Sequence, residues 1–339
     1  MSNGHGRTAA LLLPDEDLRS YVLDRIEESG RVLQAGSDQL SFVAVDPVQE
    51  LRSEDLAAFD VLVTGWRTPT LPRDLAELND RQRYICHLTG TMRSMVPREF
   101  VTSVNWTVTN WGPSISRFVS EMNLALLLGV ARRFPECRRA METGHEWKRN
   151  LGDGTSLFGR RIGLYGYGLI AREFHKLIEP FHMQVSVYDP YVAPPDRVSG
   201  VHWCDSLEQL FQQSEIVSIH AGLTEETTSS VDFRLLSMLP DDGIVINTAR
   251  AGIIDENDLL RAVRETELRF GLDVFHQEPL PASSPLLDSP RVLCTPHSAG
   301  VVGGQFAVMW KTARENLLRF ISGEDVEHQV DEALYDRMT

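Results

Sequence analysis

The segment Gly166-Tyr-Gly168-Leu-Ile-Ala171 constrains this chain more than any other stretch of it. It follows the apolar run Ile162–Tyr165 and opens a helix-forming stretch, the context in which paired glycines have mechanical meaning. Gly166 permits a tight turn and Gly168 lets a pyrophosphate approach the backbone at the helix N-terminus. Ala171 is small enough for that helix to pack on the strand. Asp189 lies 21 residues beyond Gly168, at the end of the next expected strand. An acid there accepts hydrogen bonds from the adenosine ribose hydroxyls. It also opposes the 2′-phosphate of NADP, by about 1 kcal/mol per unit charge in water and about 4 kcal/mol at an effective dielectric of 20. The expected cofactor is therefore NAD, contacted by Gly166, Gly168, Leu169, Ile170 and Asp189.

Short β-branched runs alternate with helical segments along the whole chain, a pattern of βαβ units and parallel sheet. Strands are expected at Thr8–Leu13, Leu40–Val45, Val61–Thr64, Tyr84–Leu88 and Trp106–Thr109 in the N-terminal third. A second series comprises Ile162–Tyr165, Val185–Tyr188, Ile216–His220, Ile244–Asn247, Phe270–Val274 and Val292–Cys294, the size of a dinucleotide-binding sheet. Asp15 can cap a helix that Gly30 ends, and Ser206-Leu-Glu-Gln209 has the spacing of a capping box. Long helices are expected at Ser114–Glu142 and Gly303–Ser322. The 339 residues suit two domains, and the favoured division is discontinuous: residues 1–117 and 299–339 against 118–298.

A net charge of −15 and 42% hydrophobic content exclude a disordered chain and disfavour nucleic acid or anionic lipid as partner. The four cysteines lie 51, 67 and 90 residues apart with no CxxC pair, as buried, reduced thiols of a cytoplasmic protein would. The first apolar run is too short for a signal peptide, and the Met122–Ala131 run is about half a membrane span, interrupted by Asn123. The histidines show no metal-ligand spacing, so no metal is expected, and no GxSxG elbow is present.

Three further segments stand at later strand ends: Asn247-Thr-Ala-Arg250-Ala-Gly252, Asp273-Val-Phe-His-Gln-Glu278-Pro279 and Thr295-Pro-His297-Ser-Ala-Gly300. With the glycine turn, they make the region from Phe158 to Gly300 resemble the D-isomer-specific 2-hydroxyacid dehydrogenase family, in matching order and spacing. Only fragments of residues 1–117, such as the Gly90 loop, are similar. The resemblance implies a doubly wound parallel-sheet (Rossmann) cofactor domain and a second, flavodoxin-like α/β substrate domain, with the active site in the cleft. It implies Arg250 binding and polarising the substrate, His297 as acid/base and Glu278 as its carboxylate partner. It places Asp273 on the nicotinamide carboxamide, and His220, Thr227, Thr248, Ala249 and Gly300 among the cofactor contacts. The chemistry makes the same demand: an alcohol losing hydride also loses a proton, which imidazole takes near neutrality, and a guanidinium forks onto a carboxylate. This chain departs from the family in Ala251 after the arginine and in Gly222, where proline is frequent.

The family's substrate loop corresponds to His87-Leu-Thr-Gly90-Thr-Met-Arg93, which makes Gly90, Thr91 and Arg93 candidate contacts for a small anionic substrate. Arg93, with Trp66, Arg67 and Trp111 nearby, is either a second anion contact suited to a phosphate- or phosphonate-bearing substrate, or ordinary surface cation beside core-edge tryptophan. Trp310 and Lys311 either line the cleft or pack. Family members dimerise through the region of Ile115–Arg132, and that helix is more apolar than a monomer face requires, so a homodimer is expected. The competing function is an NAD-sensing, corepressor-like scaffold with little turnover.

Overall fold

The computed structural model describes residues 6–45, 51–144 and 153–338. The chain forms two units, one of Met1–Ile115 with Gly303–Thr339 and the other of Ser116–Val302.

The first unit is built on β1 (Arg7–Leu12), β2 (Val32–Ala35), β3 (Asp38–Ala44), β4 (Val61–Thr64), β5 (Arg83–His87) and β6 (Trp106–Thr109), in the order β2-β3-β1-β4-β5-β6. All neighbours are parallel except β2 and β3, a hairpin turned at Gly36 with φ 64°. Without β2 the order is that of a flavodoxin-like sheet. β2 was not expected, because its four residues include only one that is buried, Leu33, and so carry no apolar run. Asp15 caps the helix Glu16–Glu27 by accepting from Leu18 N at 3.0 Å, and Gly30, with φ 69°, turns the chain beyond it. The helix Gln305–Ser322 belongs to this unit. It buries Met309, Ala313, Leu317 and Ile321 at intervals of one helical turn, while the Arg7 guanidinium donates to Phe320 O at 2.9 Å. Trp310 packs in this unit, 6.4 Å from Phe42 between ring centroids, and Lys311 is exposed.

The second unit has seven parallel strands: β7 (Arg161–Tyr165), β8 (Gln184–Tyr188), β9 (His202–Trp203), β10 (Ile216–Ile219), β11 (Ile244–Asn247), β12 (Arg269–Leu272) and β13 (Val292–Cys294). Their order, β13-β12-β11-β10-β7-β8-β9, is a doubly wound sheet that reverses direction between β7 and β10, where ligands of such sheets bind. The two-residue β9 extends the six strands expected. Ser206 caps the helix Leu207–Gln213 as expected, accepting from Gln209 N, but the Gln209 side chain accepts from Asp205 N and not from the cap residue's own amide.

The single helix expected over Ser114–Glu142 is two, Ser116–Ala131 and Phe134–Thr143, broken at Arg133 with φ 57°. Pro135 explains the break: in a continuous helix its ring would strike the Ala131 carbonyl and its position would lack a donor. The Ser116–Ala131 helix buries Leu126, Leu127, Val130 and Ala131 with Ile162, Leu164 and Ile246, so the second unit's own core absorbs the apolar excess noted in the sequence. The following helix, in contrast, exposes Phe134 and Met141. No helix among the described residues is long and apolar enough to cross a membrane. All four cysteines are free; Cys86 and Cys204 are buried, whereas Cys137 and Cys294 are only partly so.

Candidate active site

The turn after β7 has the shape its glycines suggest. Gly166 sits at φ 89°, and a Cβ there would come within 2.7 Å of Ala221 N and 2.9 Å of the His220 carbonyl carbon, so only glycine fits. Gly168 is the N-cap of the helix Leu169–Ile178, and a Cβ on it would meet nothing within 4 Å. That open space lies over free helix-start amides, a cradle suited to a pyrophosphate. Leu169 is exposed, Ile170 half-buried, and Ala171 fully buried against the sheet. Asp189 accepts from Tyr167 N at 2.7 Å and from Tyr191 N at 2.9 Å, one bond to each carboxylate oxygen, and is partly exposed. The turn and the acid 21 residues beyond it are thus tied together, with a lone pair left on each oxygen for ribose hydroxyls.

The three chemical groups at the later strand ends all belong to this unit. His297 has φ 50°, and its ring is half exposed, with Nδ1 2.7 Å from Glu278 Oε2. The other Glu278 oxygen accepts from Phe275 N at 3.0 Å. Burial pushes the Glu278 carboxyl up, but the bonds from His297 and Phe275 N and the charges of His297 and Arg250 outweigh it, and the net shift is downward. An ionised Glu278 accepts from Nδ1–H and leaves Nε2 of His297 as the proton-handling atom. Arg250 is partly buried after β11, which lowers its pKa, while Glu278 opposes that shift; Nη1 donates to Ala249 O at 2.7 Å. Asn247 shapes the turn that carries it, donating to Arg250 O and accepting from Ala249 N.

Asp273 lies beneath the loop that carries His297. It has no exposed surface. Its carboxylate accepts from Thr295 Oγ1 at 2.5 Å, Ser298 N at 2.9 Å and Ala299 N at 2.9 Å, and so holds both ends of the loop that carries His297. Gly300 follows this loop and is half-buried. Beside His297 opens a cavity of about 630 Å³, walled by Phe275, Leu280, Leu287, Cys294 and Pro296, an apolar lining that motif spacing did not signal. Burial pushes the Cys294 thiol up to about 11, so it is no nucleophile at neutral pH.

Of the remaining expected contacts, Thr227 folds its hydroxyl into its own loop, donating to Gly222 O at 2.6 Å and accepting from Thr224 N. Thr248 and His220 join a buried polar chain. Asn123 donates from Nδ2 to Thr248 Oγ1 at 3.0 Å and accepts from Ser218 Oγ at 3.0 Å, and Ser218 Oγ is also 3.0 Å from His220 Nε2. Asn123 and Ser218 have no exposed surface; the sequence marks Asn123 only as a break in an apolar run and gives Ser218 no signal. Among the described residues no cluster of His, Cys, Asp and Glu could hold a metal ion.

Gly90, Thr91 and Arg93 lie in the first unit, in the loop after β5. Trp111 covers Gly90 so closely that a Cβ would come within 2.4 Å of its ring, and Trp66 meets Trp111 edge-on at 6.1 Å. The buried His87 braces the loop through Thr64 Oγ1, Thr89 Oγ1 and Thr91 O. The Arg93 guanidinium donates to Met338 O at 3.1 Å, and Arg67 is exposed with φ 62°.

Comparison with known proteins gives a consistent set of likenesses. The model of the D-isomer specific 2-hydroxyacid dehydrogenase NAD binding domain matches residues 124–299. The hydroxypyruvate reductase of Thermotoga maritima is 34% identical over 283 residues, 82% of this chain and 90% of that one. The D-3-phosphoglycerate dehydrogenase of Methanocaldococcus jannaschii is 29% identical over 324 residues, which cover 94% of this chain but 59% of the relative. In fold, the D-lactate dehydrogenase with NAD+ from Lactobacillus jensenii matches with a TM-score of 0.76 over 96% of this chain and all of that one, at 19% identity.

Proposed function

Because the chain belongs to the D-isomer specific 2-hydroxyacid dehydrogenase family, we propose that it moves hydride between NAD and C2 of a small D-2-hydroxy acid or 2-oxo acid. The observation that carries this reading is the pairing of His297 Nδ1 with Glu278 Oε2 at 2.7 Å, in the same unit as the glycine turn. The bound nicotinamide supplies the hydride in the reductive direction and takes it in the oxidative one. The protein manages the rest. The glycine turn and its helix N-terminus hold the pyrophosphate, and Asp189 holds the adenosine ribose. Arg250 forks onto the substrate carboxylate and carbonyl oxygen, and its attraction strengthens as negative charge gathers on that oxygen. His297 gives its Nε2 proton to the oxygen as C2 gains hydride, or removes it in reverse, while Glu278 balances the imidazolium. Asp273 keeps the histidine in place from beneath.

The apolar wall beside His297 suits a 2-oxo acid with a hydrocarbon side chain. The Arg93 bond to Met338 O leaves phosphate-bearing acids as the weaker arm. The deciding experiment is a panel of 2-oxo acids, from glyoxylate and hydroxypyruvate to phenylpyruvate and 3-phosphohydroxypyruvate, followed by loss of NADH absorbance. Turnover of one or more supports the proposal; tight NADH binding with no turnover across the panel overturns it. We further propose a homodimer, with Phe134 and Met141, exposed on a helix that buries no residue, facing a second copy. Light scattering giving the 38.2 kDa monomer mass at micromolar concentration would refute that assembly.

A further inference from the structure

The buried chain through Asn123, Ser218 and His220 has a direction, and the direction has a chemical consequence at the cofactor turn. A serine hydroxyl has one proton. Ser218 donates it to Asn123 Oδ1 at 3.0 Å, so toward His220 Nε2, also 3.0 Å away, the Ser218 oxygen can only accept. Nε2 must then carry the ring hydrogen, and Nδ1 a lone pair. The other end of the Asn123 amide donates to Thr248 Oγ1 at 3.0 Å, which frees the Thr248 proton to point away from Asn123.

A second observation supports the same polarity. His220 Nδ1 is buried and has no hydrogen-bond partner among the described residues. If the amide and the hydroxyl were reversed, that atom would be an N–H, and a buried donor without an acceptor costs more than an under-used lone pair. Burial also holds the His220 pKa down to about 3, so the ring stays neutral and one nitrogen must always lack a hydrogen.

The location makes the lone pair useful. His220 follows β10 at the point where the sheet reverses direction, its N–H donates to Tyr165 O at 2.7 Å, and its carbonyl carbon lies against Gly166 of the glycine turn. Its ring sits 5.4 Å from that of Phe174, on the helix that the glycine turn opens. We infer that Asn123 is a positioning residue that fixes the His220 tautomer, so that Nδ1 accepts a hydrogen bond from a hydroxyl or amide N–H of the bound dinucleotide while Thr248 presents a donor. This rests on the NAD-binding reading of the same site.

The test is long-range proton–nitrogen correlation NMR on protein carrying ¹⁵N-labelled histidine. Wild type should show His220 with hydrogen on Nε2, and NADH should move the Nδ1 resonance as its lone pair is engaged. Asn123→Leu removes the acceptor, lets the Ser218 proton turn to Nε2, and should shift His220 toward the Nδ1–H form while weakening NADH at least tenfold. Asn123→Asp keeps an oxygen that accepts from Ser218 Oγ and should restore the wild-type tautomer. Hydrogen on Nδ1 in wild type overturns the inference even if Asn123→Leu fails to fold. So does an unchanged tautomer in Asn123→Leu with weakened NADH, the mark of mere packing. Wild type that shows the expected tautomer and does not bind NADH overturns the cofactor reading on which the inference stands.

Discussion

Replacing Asp273 by asparagine separates two roles that one buried carboxylate can have. In the structure its oxygens receive Thr295 Oγ1, Ser298 N and Ala299 N, and no part of it is exposed. Asparagine can keep the two bonds to Oδ1, but its amide nitrogen then faces the Ala299 N–H, donor against donor. The loss is one charge-assisted bond, about 1.5–3 kcal/mol, and a buried N–H is left without a partner. This cost falls on the loop from Thr295 to Ala299, so the ring of His297 loses its fixed position. A misplacement of about 1 Å costs a proton-transfer geometry roughly 100-fold in rate. Asp273→Asn is therefore expected to lower kcat by one to two orders of magnitude, to speed hydrogen exchange at the Ser298 and Ala299 amides, and to leave NADH affinity within about threefold. Steady-state kinetics, amide exchange and NADH titration read these separately. A loss of NADH affinity of tenfold or more, with Ser298 and Ala299 still protected, would return Asp273 to the nicotinamide carboxamide and refute the reasoning.

Three other outcomes are expected. His297→Asn should lower kcat by about 10²–10⁴-fold with NADH affinity near wild type, whereas loss of Arg250 should damage KM and kcat together; a His297→Asn variant that keeps most of its kcat means the proton travels elsewhere. NADH should bind at least tenfold more tightly than NADPH, about 1.4 kcal/mol, by tryptophan fluorescence, and equal affinities would remove Asp189 from its role. Burial lowers the His87 pKa from 6.5 to about 4, so between these values the unfolded chain binds the proton and the folded one does not. The stability this group confers is complete above about pH 6.5 and is lost as pH falls toward 4, by roughly 3 kcal/mol. Urea midpoints of the first unit should fall from pH 7.5 to 5, and less so in His87→Gln; identical slopes in the two proteins would contradict it.

What was legible in the sequence was local. Gly166, Gly168 and Asp189 announce themselves by spacing, and Arg250, Glu278 and His297 by standing at the ends of successive strands. Asn123 shows only as a polar break in an apolar run: its partners are 95 and 125 residues away, and only the packing of the Ser116–Ala131 helix on β10 and β11 brings them together. Asp273 stands at a strand end that spacing marks, but its bonds to Thr295, Ser298 and Ala299 follow from the fold around it. The helix break at Arg133 was readable from Pro135. β2 was not, since a hairpin strand with one buried residue leaves no periodicity. The apolar excess of the Ser116–Ala131 helix has the same lesson: hydrophobic content does not say whether the surface it must meet is in this chain or another.

The helix Gln305–Ser322 gives the chain a fixed order of assembly. The second unit is continuous in sequence, so during synthesis it has all its residues before the first unit does. The first unit's oldest strand must wait for the newest helix: Arg7 of β1 bonds to the Phe320 carbonyl 313 residues later. Until then Tyr84 lacks the Phe320 ring that lies 5.1 Å from it, and β2, β3 and β5 lack the helix that packs on them. Closing so long a loop adds little to the equilibrium cost, since each doubling of length is worth about 0.6 kcal/mol. Its effect is on timing. The first unit cannot complete its core until Gln305–Ser322 has been made, whereas the second needs nothing beyond Val302.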